Sequence, residues 1–188
     1  MSRTAALDQL QQVHELNRAF LALLQSRVRQ QRACLELPTH VRAVIASAPG
    51  SLLDSVACFP RALFELRIGV RVQPQPGAGD LDDAERELCL SVLLAARGAS
   101  RHSAYQARLL FGLDAAGIEQ LSAAPLSELQ QIACVPGTLR CALRERSWFW
   151  HGLLTATRPE LRRQLTLMAL QPAIVLGWPR RRPPQLSA

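Results

Sequence analysis

The chain has 188 residues (20.7 kDa), of which 48% are hydrophobic and 20% charged, with a formal net charge of +7. That length suits one ordinary domain or two small ones, and the apolar fraction excludes a chain disordered throughout. All 22 basic residues are arginine, so every cation can fork onto a phosphate or carboxylate, while aromatics at 5% argue against a base-stacking platform.

From the amino end, Met1 to Asp8 runs into glutamines without the apolar stretch of a signal peptide. Leu10, Val13, Leu16, Phe20, Leu23 and Leu24 then recur at spacings of three and four, the stripe of an amphipathic helix. Short helices are expected at about 38–48 and 52–58. Val72 to Asp80, rich in Pro and Gly, reads as a linker. Asp80, Asp82, Asp83 and Glu85 crowd the start of the next helix, where carboxylates favour the positive end of the dipole and read as a solvated cap. That helix continues through Leu88, Val92 and Leu93 to Ala96, with Gly98 suited to its end. Further short helices are expected at 115–123 and 126–134. Trp148, Phe149, Trp150 and Leu153 suggest a helix packed on the second half.

Two segments 76 positions apart match without a gap. Ala48-Pro49, Ser51, Leu53, Val56-Ala57-Cys58, Pro60 and Leu63 fall on Ala124-Pro125, Ser127, Leu129, Ile132-Ala133-Cys134, Pro136 and Leu139. Each block reads as a turn, a helix with proline and serine at its start, and a second proline that stops it. The match indicates a tandem duplication. The organisation expected is therefore a first helical repeat over 1–71, a linker over 72–80, a second repeat with a helical extension over 81–170, and a basic, proline-rich tail over 171–188.

Charge is uneven. Residues 1–70 carry 8 Arg against 5 acids, 71–145 carry 7 against 9, and 146–188 carry 7 against Glu160 alone. The excess thus lies in the last quarter, where a solvated tail and a phosphate-contacting one are both open. Arg140, Arg144, Arg146, Arg158, Arg162 and Arg163 are the candidate nucleic-acid contacts.

Catalytic and metal patterns are weak. His14, His40, His102 and His151 are scattered, and Gly77-Ala78-Gly79 is followed by acids that would repel phosphate. Cys34, Cys58, Cys89, Cys134 and Cys141 lie in apolar runs without a Cys-x-x-Cys pair, and read as buried thiols in a reducing cytoplasm. No stretch reaches 18 apolar residues, so no membrane span is expected.

Val13-His14-Glu15-Leu16-Asn17-Arg18-Ala19-Phe20-Leu21-Ala22-Leu23-Leu24-Gln25 resembles the opening helix of the bacterial flagellar regulator family FlhD. Val41 to Ser47 and the block Leu53, Val56-Ala57, Leu63-Phe64, Leu66-Arg67-Ile68 are similar to its following segments. The resemblance restarts at Leu90 to Ala96, with Cys89 in place of the Asn. It continues through Phe111-Gly112-Leu113 and Ile132-Ala133, Leu139, Cys141 and Arg144. Asn17, Gln25, Gly112, Cys141 and Arg144 are its distinctive positions. The family's usual subunit is one copy, about half this length.

The resemblance implies an all-α fold of two FlhD-like repeats packed as an intrachain pseudo-dimer. It also implies a non-enzymatic, cytoplasmic transcription activator subunit without a cofactor. With an FlhC-type partner, which would hold the zinc, the complex would bind promoter DNA and engage RNA polymerase at flagellar, motility or conjugation genes. Asn17, Phe20, Leu24, Val92, Trp148 and Trp150 are the expected partner or dimer interface. The alternative is an interaction adaptor of the same fold without DNA binding.

Overall fold

The apolar stripe between Leu10 and Leu24 lies on one long helix, α1 (Arg3–Arg29), in a computed structural model that describes residues 3–68, 81–144, 146–156 and 159–176. Val13, Leu16, Phe20, Leu21 and Leu24 form its buried face. Against it lie α2 (Thr39–Ser47) and α3 (Gly50–Ala57). Gln25 Nε2 donates to the carbonyls of Ile45 (3.0 Å) and Ala48 (2.9 Å), satisfying the open end of α2. The chain then forms β1 (Phe64–Leu66).

The second half opens with α4 (Asp83–His102), followed by α5 (Ala104–Phe111), α6 (Ala115–Ala123) and α7 (Leu126–Ala133). Asp82 caps α4, accepting from the Glu85 N–H at 2.7 Å. The helix does not stop at Gly98 but runs on to His102. Glycine is tolerated inside a helix, and Gly98 faces open space. Gly112 closes α5 in the left-handed conformation, φ +68°. The bounds of α2 and α3, moved from 39 to 115 and from 50 to 126, coincide with those of α6 and α7. Pro49 and Pro125 hold the positions preceding α3 and α7, and neither helix has a side-chain cap bond. The serine capping expected there is absent, and the fixed φ of proline starts both helices.

Two short strands were not foreseen. β2 (Leu139–Cys141) pairs antiparallel with β1 in the register Phe64 to Cys141, Glu65 to Arg140 and Leu66 to Leu139. α8 (Ser147–Thr155) follows and packs on α2 and α3 of the first half as well as on the last helix of the second. Phe149 meets Phe59 edge-on at 5.5 Å, and the Trp150 indole N–H donates to Ala142 O at 2.7 Å. α9 (Pro159–Leu176) lies across α5 and α8, so helix extends beyond residue 170. The linker at 72–80 and the tail from 177 onward lie outside the described residues.

The fold is thus mostly helical, and one hydrophobic cluster runs through both halves. Phe20, Phe64 and Phe111 form a chain of ring contacts at 5.5 and 6.5 Å across the junction. No helix among the described residues is long and apolar enough to cross a membrane.

α1 also packs on α4, and charge fixes this crossing. Arg27, its side chain 7% exposed, lies 2.5 Å from Glu85 and 3.0 Å from Asp82, and Arg32 reaches Asp82 at 3.1 Å. Glu85 is therefore a buried ion-pair partner, not a solvated cap residue. Burial pushes the Asp82 carboxyl up. The Glu85 N–H, the Arg27 hydrogen bond and the charges of Arg27 and Arg32 together hold it below the usual carboxylate value.

Glu85→Gln removes one of the two carboxylates paired with the buried Arg27, which keeps Asp82, and should cost about 1–3 kcal/mol in urea unfolding. A native pKa below the unfolded one means that Asp82 stabilises the fold above the ordinary aspartate range. That stabilisation fades as pH falls through the native value. Asp82→Asn should accordingly lose less stability than the parent between neutral and acidic pH, measured as the shift in urea midpoint.

Candidate functional site

Arginines and carboxylates gather where β1 meets β2. The ladder sets Glu65 opposite Arg140, and their side chains meet at 3.2 Å (Oε2 to Nη2). Glu36 joins them from the loop after α1, with Oε2 3.7 Å from Arg140 Nη1 and an ion pair to Arg144 Nη1. Its placement needs unusual backbone: Leu35 (φ +46°) and Glu36 (φ +61°) are both left-handed. Each such non-glycine residue costs on the order of 1–3 kcal/mol unless its surroundings hold it. The Leu35 carbonyl accepts the Cys141 N–H at 2.9 Å, which is part of that hold. Leu143 is left-handed as well (φ +51°), and its N–H donates to Glu65 Oε1 at 3.2 Å.

Arg146 stands next to this group and donates to Met168 O on α9 at 3.0 Å. Arg61 donates to the adjacent Ala169 O at 2.6 Å and is 6% exposed. Burial lowers its pKa; Glu65 opposes that and Arg146 adds to it. A side chain at Gly112 would place Cβ 2.3 Å from Arg61 Nη2, so both space and the positive φ require glycine here. Arg61 went unnoticed in the sequence. The signal for it was a single charge inside the apolar run Phe59-Pro60-Arg61-Ala62-Leu63-Phe64.

The six candidate arginines therefore separate. Arg140, Arg144 and Arg146 come together, although Arg140 and Arg144 carry ion pairs to Glu36 and Glu65 rather than facing solvent as open cations. Arg162 reaches the Ala156 carbonyl (3.2 Å) and Ser55 Oγ (2.5 Å), and Arg163 beside it on α9 is exposed. Arg158 lies outside the described residues.

The expected interface residues lie mostly inside the chain. Asn17, Phe20, Leu24, Val92 and Trp150 are 0% exposed, so they face the interior of this chain and offer nothing to a separate one. Trp148 alone of the six keeps a surface, at 39%. Asn17 is a hub. Its Nδ2 donates to the carbonyls of Ala57 (3.2 Å), Phe59 (3.3 Å) and Arg61 (3.0 Å), and its Oδ1 accepts from the Leu63 N–H at 2.8 Å. One buried amide thus organises the loop that leads into β1.

The cysteines also divide. Cys34, Cys89 and Cys141 are buried, but Cys58 and Cys134, which follow α3 and α7, are exposed. Burial pushes the Cys89 thiol up to about 12, with Glu85 and Cys134 adding to the shift, and also raises Cys34 and Cys141. Among the described residues no group of three His, Cys, Asp or Glu could hold a metal ion. Compared with protein-family models, curated proteins and solved structures, the chain matches none.

Asn17→Ala should destabilise the chain by about 2–4 kcal/mol in urea, because it strands buried backbone groups. Brief alkylation of the native chain should label Cys58 and Cys134 and spare the other three cysteines until denaturant is added, read by intact-mass spectrometry.

Proposed function

We propose that this chain is a transcription-regulator subunit similar to the FlhD family, in which two copies in one polypeptide take the place of a homodimer. It acts by binding and not by catalysis, with an FlhC-type partner that contacts promoter DNA and RNA polymerase at flagellar, motility or conjugation genes. One observation carries the reading. The sequence match at an offset of 76 recurs in the bounds of the helices, and the short strands at the ends of the two matching segments pair with each other, antiparallel. Strands related by a two-fold axis pair in this way in symmetric dimers. The long helices α1 and α4 that head the two halves also pack together.

The groove along that α1–α4 junction is the surface this reading assigns to the partner. It encloses about 570 Å³ and is lined by Leu16, Ala19, Leu23, Ala84 and Leu88, with Glu15 and Glu87 among its polar residues. The adaptor reading has its own support, since Arg140, Arg144, Arg146 and Arg162 all hold contacts within the chain.

The purified chain should sediment as a monomer. It should co-purify with an FlhC-type protein encoded beside it, and together they should retain promoter DNA. Ala19→Trp in the groove should abolish co-purification without changing the helical circular dichroism. Partner capture without DNA retention selects the adaptor. A tight homodimer that ignores the partner contradicts the reading.

A further inference from the structure

We propose that the groove between α1 and α4 takes a basic amphipathic helix of the partner, with its apolar seam on the groove floor and its cations against Glu15 and Glu87. The inference rests on the reading that gives this groove to a partner, and it commits that partner's docking element to one chemistry.

The shape of the walls is the first argument. On α1 the lining residues Gln12, Glu15, Leu16, Ala19, Leu23 and Ser26 recur at spacings of three and four, one continuous helix face about 21 Å long. Ala84, Glu87, Leu88 and Ser91 repeat that pattern on α4. Leu16 and Leu88, both largely buried, form the floor, and the small residues Ala19, Ser26, Ala84 and Ser91 stand exposed along it. A third helix packs into such a trough by setting its own side-chain ridges between theirs, and small side chains let it come close. An extended segment finds no backbone to pair with, because α1 and α4 spend their N–H and carbonyl groups within the helices.

Charge is the second. The chain carries a net charge of +7, yet the groove is lined by two carboxylates and no arginine. A shallower hollow continues it toward the amino end of α1, where Asp8 joins Glu15 in the lining, again without arginine. The neighbouring cations serve other partners: Arg18 meets Asp54 at 2.7 Å, Arg27 meets Asp82 and Glu85, Arg29 donates to Ala46 O, and Arg86 meets Asp83 at 3.0 Å. Neither Arg97 nor Arg101, further along α4, lines the groove or its extension. Asp8, Glu15 and Glu87 are exposed, and among the described residues no ion pair reaches them. A helix with cations flanking its apolar seam complements this rim, and a nucleic-acid backbone is repelled by it.

The test is a fluorescence-anisotropy titration of the full chain into a labelled peptide of about 18 residues, long enough to hold a helix. The peptide has leucines and alanines on one seam and arginines on both flanks. One saturable site is expected. The same peptide with Glu in place of Arg, and a scramble of the basic sequence that breaks the seam, should each bind about tenfold more weakly. Ala19→Trp should abolish binding, and Glu15→Gln combined with Glu87→Gln should weaken it about fivefold at low salt and flatten its salt dependence. Helical circular dichroism of each variant shows that it is folded.

Peptide binding without capture of an FlhC-type protein supports the groove's chemistry and fails the regulator reading. Capture of that protein that survives Ala19→Trp, or a basic peptide that binds no better than its acidic or scrambled counterpart, overturns the inference. A homodimer dissolved by Ala19→Trp gives the groove to a second copy and overturns it too. So does tighter peptide binding by Arg180→Gln, Arg181→Gln and Arg182→Gln together, which gives the groove to the chain's own tail.

Discussion

The pairing of β1 with β2 is the contact on which the rest of the molecule depends. It spans only three residues on each side, yet it joins chain segments about 75 residues apart. Hydrogen bonds from Arg67 N to Thr138 O and from Ala142 N to Leu63 O, both 2.9 Å, extend it at its two ends. Phe64 is carried into the core between Phe20 and Phe111, and Glu65 is set against Arg140. Past the ladder, Ala142 O receives the Trp150 indole and thereby seats α8 on the first half. So short a sheet would not persist alone in water. It is kept by what covers it: Asn17 fixing the approach to β1, and the Leu35 carbonyl taking up the free Cys141 N–H.

Around that contact the two halves divide the work unequally. The α1–α4 crossing is closed by the Arg27, Glu85 and Asp82 group, a buried set in which each charge needs the others. The group of arginines and carboxylates lies at the ladder end and draws on both halves, with Glu36 and Glu65 from the first and Arg140, Arg144 and Arg146 from the second. In the regulator reading this is what a covalent pair allows. The two copies meet at an effective concentration set by the linker, and a site between them is free to become asymmetric.

Most helices were legible because their signals are local, although α5 was not foreseen. The three- and four-residue spacing of α1, the Pro-led starts of α3 and α7, and the left-handed Gly112 all act within one or two turns. The match at an offset of 76 located α3 and α7 as a pair. The strands carried no such signal, since three residues that pair with a segment far along the chain show no alternation of their own. The docking of α8 on α2 and α3 was hidden for the same reason.

The site was half legible. Arginine clustering after the second repeat was visible, but Glu36 and Glu65, which hold Arg140 and Arg144, are isolated acids in unremarkable stretches. Arg61 is a lone charge in an apolar run, and Glu85 sits in a cluster that looked solvated. Asn17 was singled out through the family resemblance. Its location in the interior, bonded to its own chain, could be seen only once the loop from Ala57 to Leu63 was in place.

The central claim is that one chain carries both members of a pair and that each half completes the other. It is tested most directly by inserting a protease site within residues 72–80 of the full-length protein, cutting the folded chain, and following the pieces by size-exclusion chromatography with light scattering. If the ladder and the α1–α4 crossing join the halves as described, the two fragments will co-elute as a one-to-one complex with the helicity of the uncut chain. Fragments that separate, or that each pair with their own kind, would contradict it.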